Sequence, residues 1–419
     1  MAYKFIHNGT VIDGNGGTPI PDAAVLIRDN KIRAVGRKAD ISLPAGEVTT
    51  IDAGGGSILP GLIDAHVHLM LENINVERMM AKPFSLRFYE SIDIMRRTID
   101  AGITTVRDAG GADLGLKTAV ENGLVVGPRV QISVTALSIT GGHADGWFPS
   151  DNSFHLMPGY PGMPTNICDG VEDVRRKVRE VLRAGADVIK ICSTGGVLSP
   201  TDHPEFTQFS PEELEVFVQE AAYRRGVKVM AHAQGAEGVK NAVRAGIHSI
   251  EHGIFLDDEA VELMLEKGTF LVPTLLAPVA VIEIAESAGT MPEYGVRKAR
   301  EIIEYHVESI GRAYKAGVRI AMGTDAGVMP HGTNLRELNL MCGLGMSPME
   351  SLVVSTRVAA ECLGMDEQIG TLEPGKLADL IVVGADPLED VRILEDNDNV
   401  LLVMKDGQVL KDIRPIAHN

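Results

Sequence analysis

The sequence predicts an α/β protein: a (β/α)8 TIM barrel carrying a small β-sandwich built from both ends of the chain. Three observations lead there. The middle of the chain alternates apolar, β-branched runs with amphipathic helical stretches; eight strand-like runs can be counted in it; both ends instead carry short alternating segments punctuated by turn residues. With 419 residues, 45% of them hydrophobic and 23% charged, the chain is long enough for one large and one smaller globular unit.

Residues 1–58 supply the first part of the β-sandwich, in the segments YKFIHNGTVID, AAVLIRDNKIRAVG and TTIDAGG, broken by Asn-Gly, Pro and Asp-Asn. Residues 59–364 form the barrel. Its strand-like runs are SILPGLIDAHVHL, ITTVRDAG, RVQISVTA, DVIKICSTG, VKVMAHAQG, HSIEHG, TFLVPTL and VRIAMGTDAG. Segments able to form helices separate them, as in SPEELEVFVQEAAYRRG, where Ser210 is an N-cap and Gly226 a stop signal. That regular alternation favours a closed barrel over an open doubly wound sheet. Residues 365–419 return to β patterning in GTLEPGKLADLIVVGADPL and VLLVMKDGQVL, with Asp406-Gly407 as a hairpin signal.

The formal charge of −18, without clustered Lys and Arg, disfavours nucleic acid and anionic membrane as partners. No secretory signal begins the chain and no run reaches the length of a membrane span. Cys168, Cys192, Cys342 and Cys362 lack C-x-x-C spacing, which suits reduced thiols in a cytoplasm. The glycines of GNGGTP, AGGGS and STGG lack the lysine and hydroxyl residue of a phosphate-binding loop and read as turns.

In a barrel of this kind, chemistry collects at the C-terminal ends of the strands. Those ends carry His66 and His68 on the first strand, Lys190 on the fourth, His232 on the fifth, His252 on the sixth and Asp325 on the eighth. Residues two apart on a strand face one side, so the H-x-H of DAHVH aims both imidazoles at one place. Taken singly, each has a plain structural reading: satisfied core histidines, a helix-capping Asp325, a Lys190 reaching for water. Taken together they form a ligand set suited to Zn or Mn. An ammonium beside two divalent cations would be repelled, whereas a neutral amine reacts with carbon dioxide to give an anionic carbamate. Four positive charges from two metals, offset by a hydroxide, a carbamate and Asp325, leave a residual charge to polarise a substrate oxygen.

With GLIDAHVH on the first strand and GTDAG on the eighth, the sequence resembles the amidohydrolase superfamily over the whole chain, including the closing GTLEPGKLADLIVV. The resemblance implies His66, His68 and Asp325 on one metal and His232 and His252 on the other. Lys190, N6-carboxylated, would bridge two divalent ions, with zinc the expected metal. The stretches GITTVRDAGG, ITGGHADG, KICSTGGVLSPTD, MAHAQG and SIEHG look like the branch of metal-dependent carboxypeptidases and prolidases, similar to Xaa-Pro dipeptidases and ochratoxinases.

That likeness implies hydrolysis of the amide bond of dipeptides or N-acyl amino acids, Xaa-Pro included, by a metal-bridging hydroxide. Asp325 would take the proton and deliver it to the leaving nitrogen, while His143 polarises the carbonyl. Gln234, His331 and Asn334 are candidate substrate contacts, with Tyr160 and Arg336 proposed to grip a carboxylate. Hydrolysis of a cyclic amide or imine is the alternative activity, as in imidazolonepropionase- or dihydroorotase-like members, and an inactive scaffold the non-enzymatic one. A small-molecule peptide-like substrate, a homo-oligomer and a cytoplasmic location complete the expectations.

Overall fold

The computed structural model describes residues 2–72, 74–148, 150, 153 and 159–415. Strands from both chain ends build one sheet. These are β1 (Tyr3–Val11), β2 (Ile20–Arg28), β3 (Lys31–Arg37), β4 (Val48–Asp52) and β5 (Ser57–Pro60) from the start, and β14 (Leu380–Val383), β15 (Val400–Lys405) and β16 (Gln408–Asp412) from the end. Their order is β16-β15-β14-β5-β1-β2-β3, with β4 also on β1. The expected β-sandwich is therefore hydrogen-bonded as a single sheet. The reason lies in β1, which has nine residues and serves two parallel partners: Tyr3–His7 pair with Val48–Asp52, and Thr10–Val11 with Ser57–Ile58. The register shifts around Gly9, where a Cβ would lie 2.7 Å from the Gly56 carbonyl oxygen. At the β15–β16 hairpin, Asp406 and Gly407 both take positive φ, as a two-residue turn with the right twist requires.

The run SILPGLIDAHVHL divides at Gly61. Its first half, β5, pairs antiparallel with β14, so the terminal sheet extends past residue 58; its second half, β6 (Leu62–Val67), begins a parallel array. β6 is followed by β7 (Ile103–Asp108) and β8 (Arg129–Ile132) in a three-stranded parallel sheet. A five-stranded parallel sheet comprises β9 (Ala136–Leu137), β10 (Val188–Cys192), β11 (Lys228–Ala233), β12 (Ser249–His252) and β13 (Phe270–Val272). The run RVQISVTA is thus two strands, split where Val134 takes a φ of 69°. The last run, VRIAMGTDAG, contributes isolated parallel bridges, Ile320 to Leu271 on β13 and Ala326 to Val67 on β6.

Every residue of β6, β7, β10, β12 and β13 is buried, the pattern of parallel strands covered on both faces. Helices supply the cover. In the helix Pro211–Ala222, Ser210 and Glu213 form a reciprocal capping box, and Leu214, Phe217 and Ala221 face the core. Among the described residues, no helix is long and apolar enough to cross a membrane.

The junction between the two arrays is tight. A Cβ at Gly61 would meet the Thr104 side chain at 2.2–2.9 Å. Gly61→Ala is expected to lower stability by about 1–3 kcal/mol through overpacking, read from the midpoint of urea unfolding.

Candidate functional site

His66, His68, Lys190, His232, His252 and Asp325 line one cavity of about 270 Å³ at the C-terminal ends of the parallel strands. The imidazoles follow one another in an arc, with ring centroids 5.6 Å apart for His66–His68, 5.2 Å for His66–His252 and 4.6 Å for His232–His252. Two of the six residues sit in left-handed backbone, His252 at φ 76° and Asp325 at φ 62°. Strain of this kind persists where surroundings fix it. The His252 carbonyl accepts from His306 Nε2 at 3.0 Å, and Asp325 N–H donates to the His66 carbonyl at 2.8 Å.

Each of the four imidazoles is tethered by one nitrogen. His66 Nδ1 donates to Glu251 at 2.7 Å, His68 Nδ1 to the Gly110 carbonyl at 2.9 Å, and His232 Nε2 to the Gly195 carbonyl at 2.9 Å. His252 Nδ1 bonds the Thr274 hydroxyl at 2.7 Å. A carbonyl or carboxylate can only accept, so in His66, His68 and His232 the tethered nitrogen carries a proton. The Nε2 atoms of His66 and His68 lie 3.5 and 3.1 Å from one Asp325 oxygen, the second at hydrogen-bond distance, and ligand atoms of these three residues fall within 4.8 Å of one another. Burial lowers the pKa of His66 to about 4 and drives His232 and His252 well below the usual value, whereas at His68 burial is outweighed by the bond to Asp325 and the nearby carboxylate charges, which raise it. Neutral imidazoles are the ligating form.

Lys190 stands apart. It is 3% exposed and its Nζ has no hydrogen-bond partner among the described residues. Burial pushes its amine toward the neutral form, with Glu251 and Asp325 pulling the other way. Such an orphaned buried amine is costly unless something binds it.

Below the cavity, buried charges hold the ligands. Arg107 Nε donates to the Ala65 carbonyl at 2.7 Å and its Nη2 to Glu251 at 3.0 Å, while Ser249 bridges the two side chains. Burial alone would raise the Glu251 pKa, but the Arg107 charge and the His66 bond bring it down to about 2. Asp64 accepts from the Thr324 hydroxyl at 2.6 Å and from the backbone of His66 and Thr324, joining β6 to the segment that carries Asp325. Asp108 accepts from the backbone N–H groups of Leu69, Gly110 and Ala112, which sets the carbonyl that tethers His68.

A family model described as amidohydrolase family matches residues 57–410. The chain belongs to the amidohydrolase family. It is 36% identical to the ochratoxinase of Aspergillus niger over 97% of this chain and 86% of that protein's length. A solved structure of a Xaa-Pro dipeptidase with bound methionine aligns with a TM-score of 0.89 at 36% identity, covering 98% of this chain and 100% of the other. A prolidase complexed with N-methylphosphonate-L-proline aligns with a TM-score of 0.90 at 35% identity and the same coverage. These relatives place this amidohydrolase on the ochratoxinase- and prolidase-like branch, as a hydrolase acting on amide bonds.

The loop residues fall into two groups. His143 and Gln234 line the cavity of this amidohydrolase. The His143 ring stacks on His232 with centroids 4.1 Å apart, and the buried Gln234 leaves its Oε1 without a partner among the described residues. His331, Asn334, Tyr160 and Arg336 are not among the lining residues. The structure gives each another task. His331 is buried and its Nε2 bonds the carbonyls of His68 and Leu71; Asn334 Nδ2 donates to Asp64 at 2.8 Å. Arg336 forms a two-pronged pair with Glu283 at 2.7 and 2.9 Å, so its guanidinium is already engaged. Tyr160 packs against the main core, its phenol pushed up to about 12 by burial and by Asp113 and Asp108.

Arg107, Glu251, Asp64 and Asp108 were not singled out as functional from the sequence. Alternation gave no signal for Glu251: it directly precedes His252, yet both reach the His66 ring, because His252 sits in left-handed backbone. Cys192 lines the cavity, but burial pushes its thiol up to about 12, which makes it a poor nucleophile. Glu337 is a further buried acid: it accepts from the N–H groups of Leu275 and Leu276 at 2.8 and 2.7 Å, holding the start of the helix Leu276–Ser287 that walls the cavity.

Arg107→Met leaves Glu251 buried without its cation and is expected to cost about 3–5 kcal/mol, measured by chemical denaturation, with part recovered in Arg107→Met/Glu251→Gln. Burial pushes the Glu337 carboxyl up from 4.5 to about 8. Its folded pKa lies above the unfolded one, so its contribution to stability is full below pH 4.5 and is lost as pH rises through 8. Glu337→Gln should flatten that part of the pH dependence, by up to about 1.4 kcal/mol per pH unit, in denaturation midpoints across this range.

Proposed function

We propose that this amidohydrolase cleaves the amide bond of N-acyl amino acids and dipeptides, Xaa-Pro among them, with two divalent ions bridged by carboxylated Lys190, at the mouth of a (β/α)8 barrel formed by about residues 59–364. The observation that carries this reading is the Lys190 amine, buried and without a partner among the described residues, in a cavity lined by four imidazoles each tethered by one nitrogen. The donor set fits a metal pair: His66, His68 and Asp325 would hold one ion, His232 and His252 the other, with zinc the first choice for nitrogen and oxygen ligands. Bound there, such ions polarise a carbonyl and lower the pKa of water.

The side chains around them divide the work. Burial would raise the Asp325 carboxyl, yet its bond to His68 and the charges nearby keep it at about 2, so it stands ionised as a proton acceptor that returns the proton to the leaving nitrogen. His143 faces the scissile group from the His232 side, and the free Gln234 oxygen can accept a substrate N–H. The opposite wall is apolar, made by Leu71, Ile74, Val197, Leu198, Val281 and Ile302. That wall suits an aromatic or branched aliphatic group beside the amide.

The test is a substrate panel of Xaa-Pro, Xaa-Arg and N-acyl amino acids with apolar acyl groups, run with metal analysis in parallel. Release of a free amino acid is expected; cleavage of none of them, by metal-loaded protein, would sink the assignment. Asp325→Asn should lower kcat by about 10²–10⁴-fold. Lys190→Ala should lose metal and activity together and recover part of both on addition of a short carboxylic acid, assayed by metal content and turnover; full activity without that additive would rule out the carbamate.

A further inference from the structure

The loop after β10 carries a chain of buried polar groups that ends on His143. His143 Nδ1 lies 2.8 Å from the Ser199 hydroxyl oxygen, and the Ser199 hydroxyl donates to Asp202 Oδ1. With that proton committed to the carboxylate, Ser199 can only accept from His143, so Nδ1 carries a proton. The second Asp202 oxygen lies 3.6 Å from the same nitrogen.

Every group around Asp202 is a donor. Gly196 N–H reaches Oδ2 at 3.2 Å and Gln208 Nε2 reaches it at 3.4 Å, while Lys298 Nζ lies 3.4 Å from Oδ1. Lys298 comes from the helix Glu293–Ala316 and is 3% exposed; it also donates to the carbonyls of Gly196, Ser199 and Asp202 at 2.8, 2.8 and 2.6 Å. A neutral amide at position 202 would set an NH₂ against donors. The ring itself is held face-on: it stacks on His232 at an interplanar angle of 17°, and a Cβ at Gly196 would come within 2.2 Å of its Cε1.

We propose that Asp202 acts through Ser199 as a positioning residue for His143, fixing the Nδ1–H tautomer and presenting the Nε2 lone pair to the substrate, a hydrogen-bond acceptor in place of the carbonyl-polarising donor that the sequence suggests. The assignment of a substrate role to His143 rests on the reading of the cavity as an amide-hydrolysis site; the tautomer does not. Lys298 holds the loop in place, so that the Ser199 hydroxyl stays between the carboxylate and the ring. The function of a third group that orients a catalytic imidazole is thereby met by two residues three apart on one loop.

The test uses the metal-loaded, full-length enzyme and the variants Ser199→Ala, Asp202→Asn, His143→Asn and His143→Asn/Ser199→Ala. Ser199→Ala removes one link and keeps the remaining bonds of Asp202, so it is the informative variant if Asp202→Asn fails to fold. In histidine labelled with nitrogen-15, the wild-type His143 is expected to show a proton on Nδ1, and Ser199→Ala to shift it toward Nε2. With the best substrate of the panel, Ser199→Ala should lower kcat by about tenfold to a hundredfold with KM nearly unchanged, and adding it to His143→Asn should cost nothing more. A proton on Nε2 in the wild type, an unchanged tautomer in Ser199→Ala, a loss confined to KM, or additive losses in the double variant would each overturn the proposal. If no substrate is cleaved, the labelling measurement still decides the tautomer, while the failure of turnover counts against the proposed function alone.

Discussion

Each of the four ligand-type imidazoles is tethered by one nitrogen to a group outside the ligand set, and much of the buried polarity around the cavity serves those tethers. The bond from His66 to Glu251 needs an ionised carboxylate in a place where burial opposes charge. Arg107 supplies the opposite charge, and Arg107 in turn is satisfied by the Ala65 carbonyl and Ser249. Asp108 shapes the turn that offers the Gly110 carbonyl to His68. The Gly195 carbonyl that tethers His232 belongs to the loop held by Lys298. Removing any one support leaves a buried group unpaired, so the network is mutually dependent rather than a set of separate contacts.

The same economy explains why the cavity has two characters. Its floor is polar because the strand ends deliver ligating groups there, and the imidazoles among them are tethered by neighbouring groups while Lys190 is not. Its wall is apolar because Leu71 and Ile74 after β6, Val197 and Leu198 after β10, Val281 of the helix Leu276–Ser287, Ala299 of the helix Glu293–Ala316 and Val328 after Asp325 pack together in a cluster of their own. A substrate amide can thus meet hydrogen-bonding partners at one end and shed water from its side chain at the other.

Periodicity and strand-end residues made much of this legible beforehand. His66, His68, Lys190, His232, His252 and Asp325 could be grouped because they fall at the C-terminal ends of successive strand-like runs, and alternation aimed His66 and His68 to one side. The terminal strands were readable for the same reason, and Ser210 as an N-cap because capping is a local matter. Gly61 was not read as a break, since SILPGLIDAHVHL keeps one apolar texture while changing sheets. Loop residues gave no direction: His331, Asn334 and Arg336 look like substrate contacts in sequence, yet turn to backbone carbonyls, Asp64 and Glu283. Partners distant in the chain were invisible as well. Lys298 reaches Asp202 across 96 residues and Arg107 reaches Glu251 across 144, separations at which no local pattern speaks.

The pairing of β5 with β14 has a consequence in time. On a ribosome, the strands at the start of the chain emerge early, and β1 can recruit β2, β4 and β5 at once. The outer edge of β5 has no partner until Leu380–Val383 has been made, after the entire parallel array. Until then it is an open strand edge of the kind that pairs with strangers. Synthesis of this chain therefore passes through a long interval in which its first-made sheet is also its most exposed to misassembly, and completion of the last strands closes that interval.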